Sequence, residues 1–110
     1  MTPPPNAALA ELAAALGEDN VRSLVRTFLR DFPASVQTLA TADRKQQHRI
    51  AHSLKGNSRL MGGLQLSSRM AALEARLATA GGADVTPEDV MGILAEFEEL
   101  AEPLRAFVGP

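Results

Sequence analysis

The chain's two histidines, His48 and His52, lie four residues apart in a stretch that also holds Lys45, Lys55, Gly56 and Arg59. On a helix turning about 100° per residue, Ile50, Leu54 and Met61 fall within roughly 20° of the direction opposite His52, so the imidazole faces water. Lys45, His48, Lys55, Gly56 and Arg59 fall within about 60° of His52 on the same wheel, a basic face without a carboxylate. A neutral imidazole is a competent nucleophile near neutral pH, because the ordinary histidine pKa is about 6.5. Lys55, three residues on, is close enough to balance an anion carried on the ring. Gly56 sits in mid-helix, where Gly costs about 1 kcal/mol relative to Ala, so the opening it leaves serves something other than helix formation. A nucleophilic ring, a cation and an opening together suit an incoming phosphoryl group.

These residues need one helix to carry them and another to steady them. Asp43, with Gln46 three residues later, forms a capping-box pattern and predicts a helix to about Met61. Gly62-Gly63 turns the chain. Leu66, Met70, Leu73 and Leu77 then repeat at four-three spacing, predicting a helix that ends at Gly81-Gly82 and packs antiparallel on its predecessor. Glu74 adjoins that apolar row, where its carboxylate either reaches the His52 helix or is simply solvated. Leu60, about 80° from His52 on the wheel, is either a docking contact or a residue packed on a neighbouring helix.

The remainder is helical too. Asn6 caps a short helix with Leu9, Leu12, Ala13 and Leu16 as its apolar positions, ended by Gly17. Apolar residues from Val21 to Leu39, Leu24 among them, predict a long helix over 19–40, with Pro33 kinking or breaking it near Phe32. Thr86-Pro87-Glu88-Asp89 is a strong helix start. Val90, Ile93, Leu94, Phe97, Leu100, Ala101, Leu104 and Val108 give its apolar stripe, with a kink expected at Pro103. No β pattern appears. The expected fold is all-α: an antiparallel four-helix bundle with a short additional N-terminal helix, in one domain over 1–110 that opens with an extended arm at 1–5.

The run Ala51-His52-Ser53-Leu54-Lys55-Gly56, followed by Gly62-Gly63 and by Leu73-Glu74, resembles the histidine-containing phosphotransfer (HPt) domain of bacterial two-component phosphorelays. The match covers residues 51–74, and the rest agrees in helix pattern. Gly63 stands where Ala is common in the family, and Arg59 where a small residue is common. The resemblance implies a phosphocarrier rather than an ATP-dependent kinase: His52 accepts a phosphoryl group from a receiver-domain phospho-aspartate and passes it to another receiver. It implies that Lys55 neutralises charge, Gly56 gives access and Glu74 orients the imidazole, while Arg59, His48, Lys45 and Leu60 meet the partner. No cofactor is expected on this chain, with Mg²⁺ expected on the partner receiver. Response-regulator receiver domains and an upstream hybrid histidine kinase are the expected partners of a monomer. The alternative is an HPt-like module that docks a response regulator without carrying phosphate.

Composition narrows the rivals. Cysteine is absent, so there is no thiolate chemistry and no Cys-based zinc site. His48 and His52 have the i, i+4 spacing of two metal ligands, but no Glu follows His48, no third His exists and the neighbouring charges are cationic. The net charge of −2 hides a polarity, with ten of eleven Lys and Arg in residues 22–76 and seven acids in residues 84–105. The low aromatic content and the lack of a nucleic-acid motif argue against nucleic acid. The N-terminal residues lack a secretory pattern and no stretch reaches membrane-spanning length, so no membrane partner and a cytoplasmic location are expected.

Overall fold

Local signals start most of the elements. In the computed structural model, which describes residues 2–109, the described residues form five helices and no strand. They are α1 (Ala7–Leu16), α2 (Glu18–Thr41), α3 (Arg44–Leu60), α4 (Leu64–Ala78) and α5 (Pro87–Val108). Of the predicted arm, Met1 lies outside the described residues, and residues 2–5 precede α1 without helical structure. Asn6 caps α1 by accepting from the Leu9 amide. Gly17, at φ 89°, ends α1 and starts α2 with no linker, in a conformation that only glycine adopts freely. Thr86 and Asp89 form a complete capping box at α5. At α3 the Gln46 amide donates to Asp43 at 2.9 Å. The buried side-chain amide of Gln47 passes back to the preceding helix, its Nε2 donating to the Leu39 carbonyl at 3.0 Å.

The break that Pro33 allowed for near Phe32 does not occur. Helix α2 continues through Pro33 and α5 through Pro103. Each proline removes one backbone donor, but buried residues on both sides keep the helix on a single apolar face. Phe32 and Val36 flank Pro33, and Ala101 and Leu104 flank Pro103. Phe32 also stacks on Phe97 with ring centroids 4.7 Å apart, tying the proline-bearing turn of α2 to α5.

Helix α4 ends at Ala78, short of the predicted Gly81-Gly82. Its last carbonyls are satisfied from outside: Arg44 of α3 donates to the carbonyls of Leu77, Arg76, Thr79 and Gly82 at 3.0–3.2 Å. A guanidinium with several donors can take over the capping that further helical turns would have supplied.

One core joins all five helices. Helix α3 packs on α2 and α4, α5 packs on α2 and α4, and α1 lies on α2. Leu66, Met70, Leu73 and Leu77 are all buried, as their spacing predicts, and Leu54 and Met61 turn inward from α3. Leu16 and Leu24 do not join the core, at 46% and 39% exposure. Leu16 is the last residue of α1, and Leu24 lies roughly 75° from the centre of the α2 stripe. Phe107, absent from the predicted stripe, is buried beneath the Arg22 guanidinium, which lies 4.7 Å from its ring centre. Among the described residues no helix is long and apolar enough to cross a membrane.

Candidate functional site

Small residues bring α3 and α4 close. Ala51 and Ser58 are fully buried on the flank of α3 that faces α4. From α4, Ser67 donates its hydroxyl to the Lys55 carbonyl at 3.0 Å. That bond pins the turn of α3 running from His52 to Gly56. Glu74 lies two turns further along the same face of α4.

His52 projects outward, its side chain 66% exposed, whereas that of Glu74 is 16% exposed. Glu74 Oε2 lies 2.5 Å from His52 Nδ1, and Oε1 lies 2.6 Å from Lys55 Nζ. The Lys55 hydrogen bond holds the Glu74 carboxyl below its ordinary pKa; burial opposes this and the His52 hydrogen bond adds to it. Glu74 is therefore ionised at neutral pH. A carboxylate only accepts, so the proton between the two groups belongs to Nδ1. In a neutral imidazole this leaves Nε2 with its lone pair, on the side of the ring away from Glu74.

The other predicted residues surround this triad without touching it. Lys45 and Arg59 are exposed, at opposite ends of α3. Leu60 is 45% exposed, so it is not packed away against a neighbouring helix. His48 is half-buried in a shallow groove lined by Arg44, Lys45, Leu77 and Ala78. Gly56 is exposed, and a Cβ added there would meet nothing within 4 Å, so packing does not require a glycine. Among the described residues no three His, Cys, Asp or Glu side chains gather as a ligand set.

The family model for the Hpt domain matches residues 7–103, from the start of α1 into the last turns of α5. The chain belongs to the Hpt domain family. No curated protein and no solved structure matched it. Membership in the Hpt family ties the chain to histidine phosphotransfer in two-component phosphorelays, where Hpt domains are phosphocarriers and not kinases. Receiver domains and histidine kinases are the partners with which Hpt domains interact.

Sequence reasoning missed two residues that build this site, Ser67 and Arg44. Ser67 lies seven residues before Glu74, hence on the same helical face, which is a usable signal. Arg44 gave none, since four of its bonds go to main-chain carbonyls and its one carboxylate partner, Asp84, lies 40 residues away.

Proposed function

We propose that His52 is the phosphoryl carrier of this Hpt domain, taking the group from a receiver's phospho-aspartate and giving it to another receiver's aspartate. The observation that carries this reading is the Nδ1 contact with Glu74, which leaves Nε2 as the outward nucleophile. Nε2 attacks phosphorus, an N–P bond forms, the acyl P–O bond breaks and the aspartate leaves as a carboxylate. No proton has to move, because Nδ1 keeps its hydrogen and the ionised Glu74 balances the resulting cation, the logic by which a carboxylate orients a catalytic histidine. In the return step a second aspartate attacks phosphorus and the N–P bond breaks. Positioning and charge neutralisation dominate such a transfer.

Lys55 steadies Glu74 before transfer and is near enough to balance the phosphoryl oxygens after it. Gly56 keeps the turn beside the ring open to the partner. Lys45, His48, Arg59 and Leu60 form the surrounding partner face. The chain itself takes no cofactor in this scheme, and Mg²⁺ belongs to the receiver. A cytoplasmic monomer that meets receivers and a hybrid histidine kinase fits the role.

We further infer that α2 to α5 form an antiparallel four-helix bundle with α1 as a short addition. Contacts between opposite helix ends support this. Arg22 at the start of α2 bonds Phe107 at the end of α5, Arg44 at the start of α3 bonds Leu77 at the end of α4, and Arg76 late in α4 pairs with Asp89 early in α5.

The test is incubation of the full chain with a receiver domain charged by acetyl phosphate, followed by mass mapping at neutral pH. His52→Gln should abolish labelling and His48→Gln should retain it. Label surviving in His52→Gln would overturn the assignment.

A further inference from the structure

Most cations of this protein are neutralised by its own acceptors. On α2, α4 and α5, Arg22, Arg30, Arg69, Arg76 and Arg105 each pair with a carboxylate, and Arg26 donates to the Val108 carbonyl. On α3, Arg44 is engaged by Asp84 and the end of α4, and Lys55 by Glu74. Among the described residues, Lys45, Arg49 and Arg59 have exposed side chains with neither a carboxylate nor a carbonyl partner. All three belong to the helix that carries His52 and lie within about 60° of it.

Helix stability does not account for this set. Lys45 is the second residue of α3, at the positive end of the helix dipole, and no acid occupies that first turn. A cation there opposes the helix. Arg49 lies too far inside α3 to draw on either terminus. Only Arg59, in the last turn, suits the dipole.

Their placement is symmetric about the nucleophile. Lys45 and Arg59 are each seven residues from His52, about 10 Å to either side at 1.5 Å per residue. The Lys55 charge is taken up by Glu74, so the field reaching outward from this face comes from its flanks.

We propose that Lys45, Arg49 and Arg59 form a steering face for an acidic protein surface: a receiver domain with carboxylates about 10 Å to either side of its phospho-aspartate. This rests on the phosphocarrier reading and adds that the three cations set the rate of encounter, while His52, Glu74 and Lys55 set the chemistry. Nucleic acid fits less well. All four Phe side chains are buried and the chain has no Trp or Tyr, so no aromatic is free to stack on a base.

The test compares the wild-type chain with the triple variant Lys45→Gln/Arg49→Gln/Arg59→Gln, using a labelled receiver domain charged by acetyl phosphate. Expected at low salt is a fall of about tenfold in kcat/KM for transfer, an unchanged first-order rate at saturating receiver, and a flattened salt dependence. Arg105→Gln on α5 should keep wild-type values. A salt-independent wild-type rate, or a triple variant that loses the first-order step instead of the encounter, overturns the proposal. Receiver binding to His52→Gln, followed by anisotropy, separates the two ideas. Salt-dependent binding that the triple change weakens supports the steering face even if wild-type His52 takes no label, an outcome that overturns the phosphocarrier reading alone. A DNA duplex that outcompetes the receiver for the wild-type chain, and that the triple change releases, overturns the choice of a protein partner.

Discussion

Lys55 reaches Glu74: its ammonium lies 2.6 Å from Glu74 Oε1, while the other carboxylate oxygen holds His52 Nδ1. Both residues expected to manage charge around the imidazole therefore act first on each other. The arrangement makes the triad close to neutral and leaves Nε2 as the ring nitrogen turned away from Glu74.

Glu74→Ala should slow phosphoryl transfer roughly tenfold, below the full range of general acid–base effects, and leave the fold intact. Glu74→Gln should recover part of the rate, since its carbonyl still accepts from Nδ1. Nitrogen chemical shifts of the His52 ring give the cause directly: Glu74→Ala should mix the two tautomers. A wild-type tautomer ratio with a wild-type rate in Glu74→Ala would return Glu74 to an ordinary surface acid.

The pH dependence has a definite sign. Glu74 is depressed from its ordinary value of 4.5, chiefly by Lys55, so the stabilisation that its charge lends the site is complete above that value and is lost as pH falls through the lower, folded-state value. Lys55→Met removes the main cause. Followed by carboxyl carbon shifts, the Glu74 titration should move upward in Lys55→Met, and the His52 tautomer should loosen at a higher pH than in the wild type. An unmoved titration would show that Lys55 does not hold Glu74 in solution.

Two helical glycines should respond differently to alanine. Gly56→Ala should stabilise the protein by up to about 1 kcal/mol on helix propensity, because its Cβ meets nothing within 4 Å. Gly92→Ala should gain less, since its Cβ would lie 2.5 Å from the Arg69 guanidinium and would push it from Glu96, whose other oxygen is buried without a partner. Denaturant melts of both variants decide this, and an equal gain would contradict the packing at Gly92.

Gly56→Gln should fold as well as the wild type and yet slow transfer by crowding the receiver beside the imidazole. Paired melting and transfer measurements check it. A wild-type transfer rate would mean that no partner comes close to that turn.

Helical periodicity made much of this legible. Spacing alone put His52 outward and Leu54 and Met61 inward, because a wheel converts residue number into direction, but it left Glu74 open between reaching α3 and being solvated. What it missed depends on distant partners. Arg44 caps α4 through carbonyls 32 to 38 residues away, which leave no side-chain pattern to read. Pro33 reads as a break by propensity, but the stacking of Phe32 on Phe97 keeps α2 on the core. Leu24 has the right residue type at the edge of a stripe, where the stripe's limits depend on how closely α3 approaches. Phe107, three residues after Leu104, shares the α5 stripe with Val108, and it is Phe107 that enters the common core while Val108 stays partly buried against it.

The most direct measurement is phosphorus–nitrogen coupling in the phosphorylated, nitrogen-15-labelled protein. One phosphoryl group is expected, on Nε2 of His52, with Nδ1 still protonated against Glu74, as a phosphoramidate lost in mild acid but stable in alkali. Phosphate on Nδ1, on His48 or on a carboxylate would contradict it.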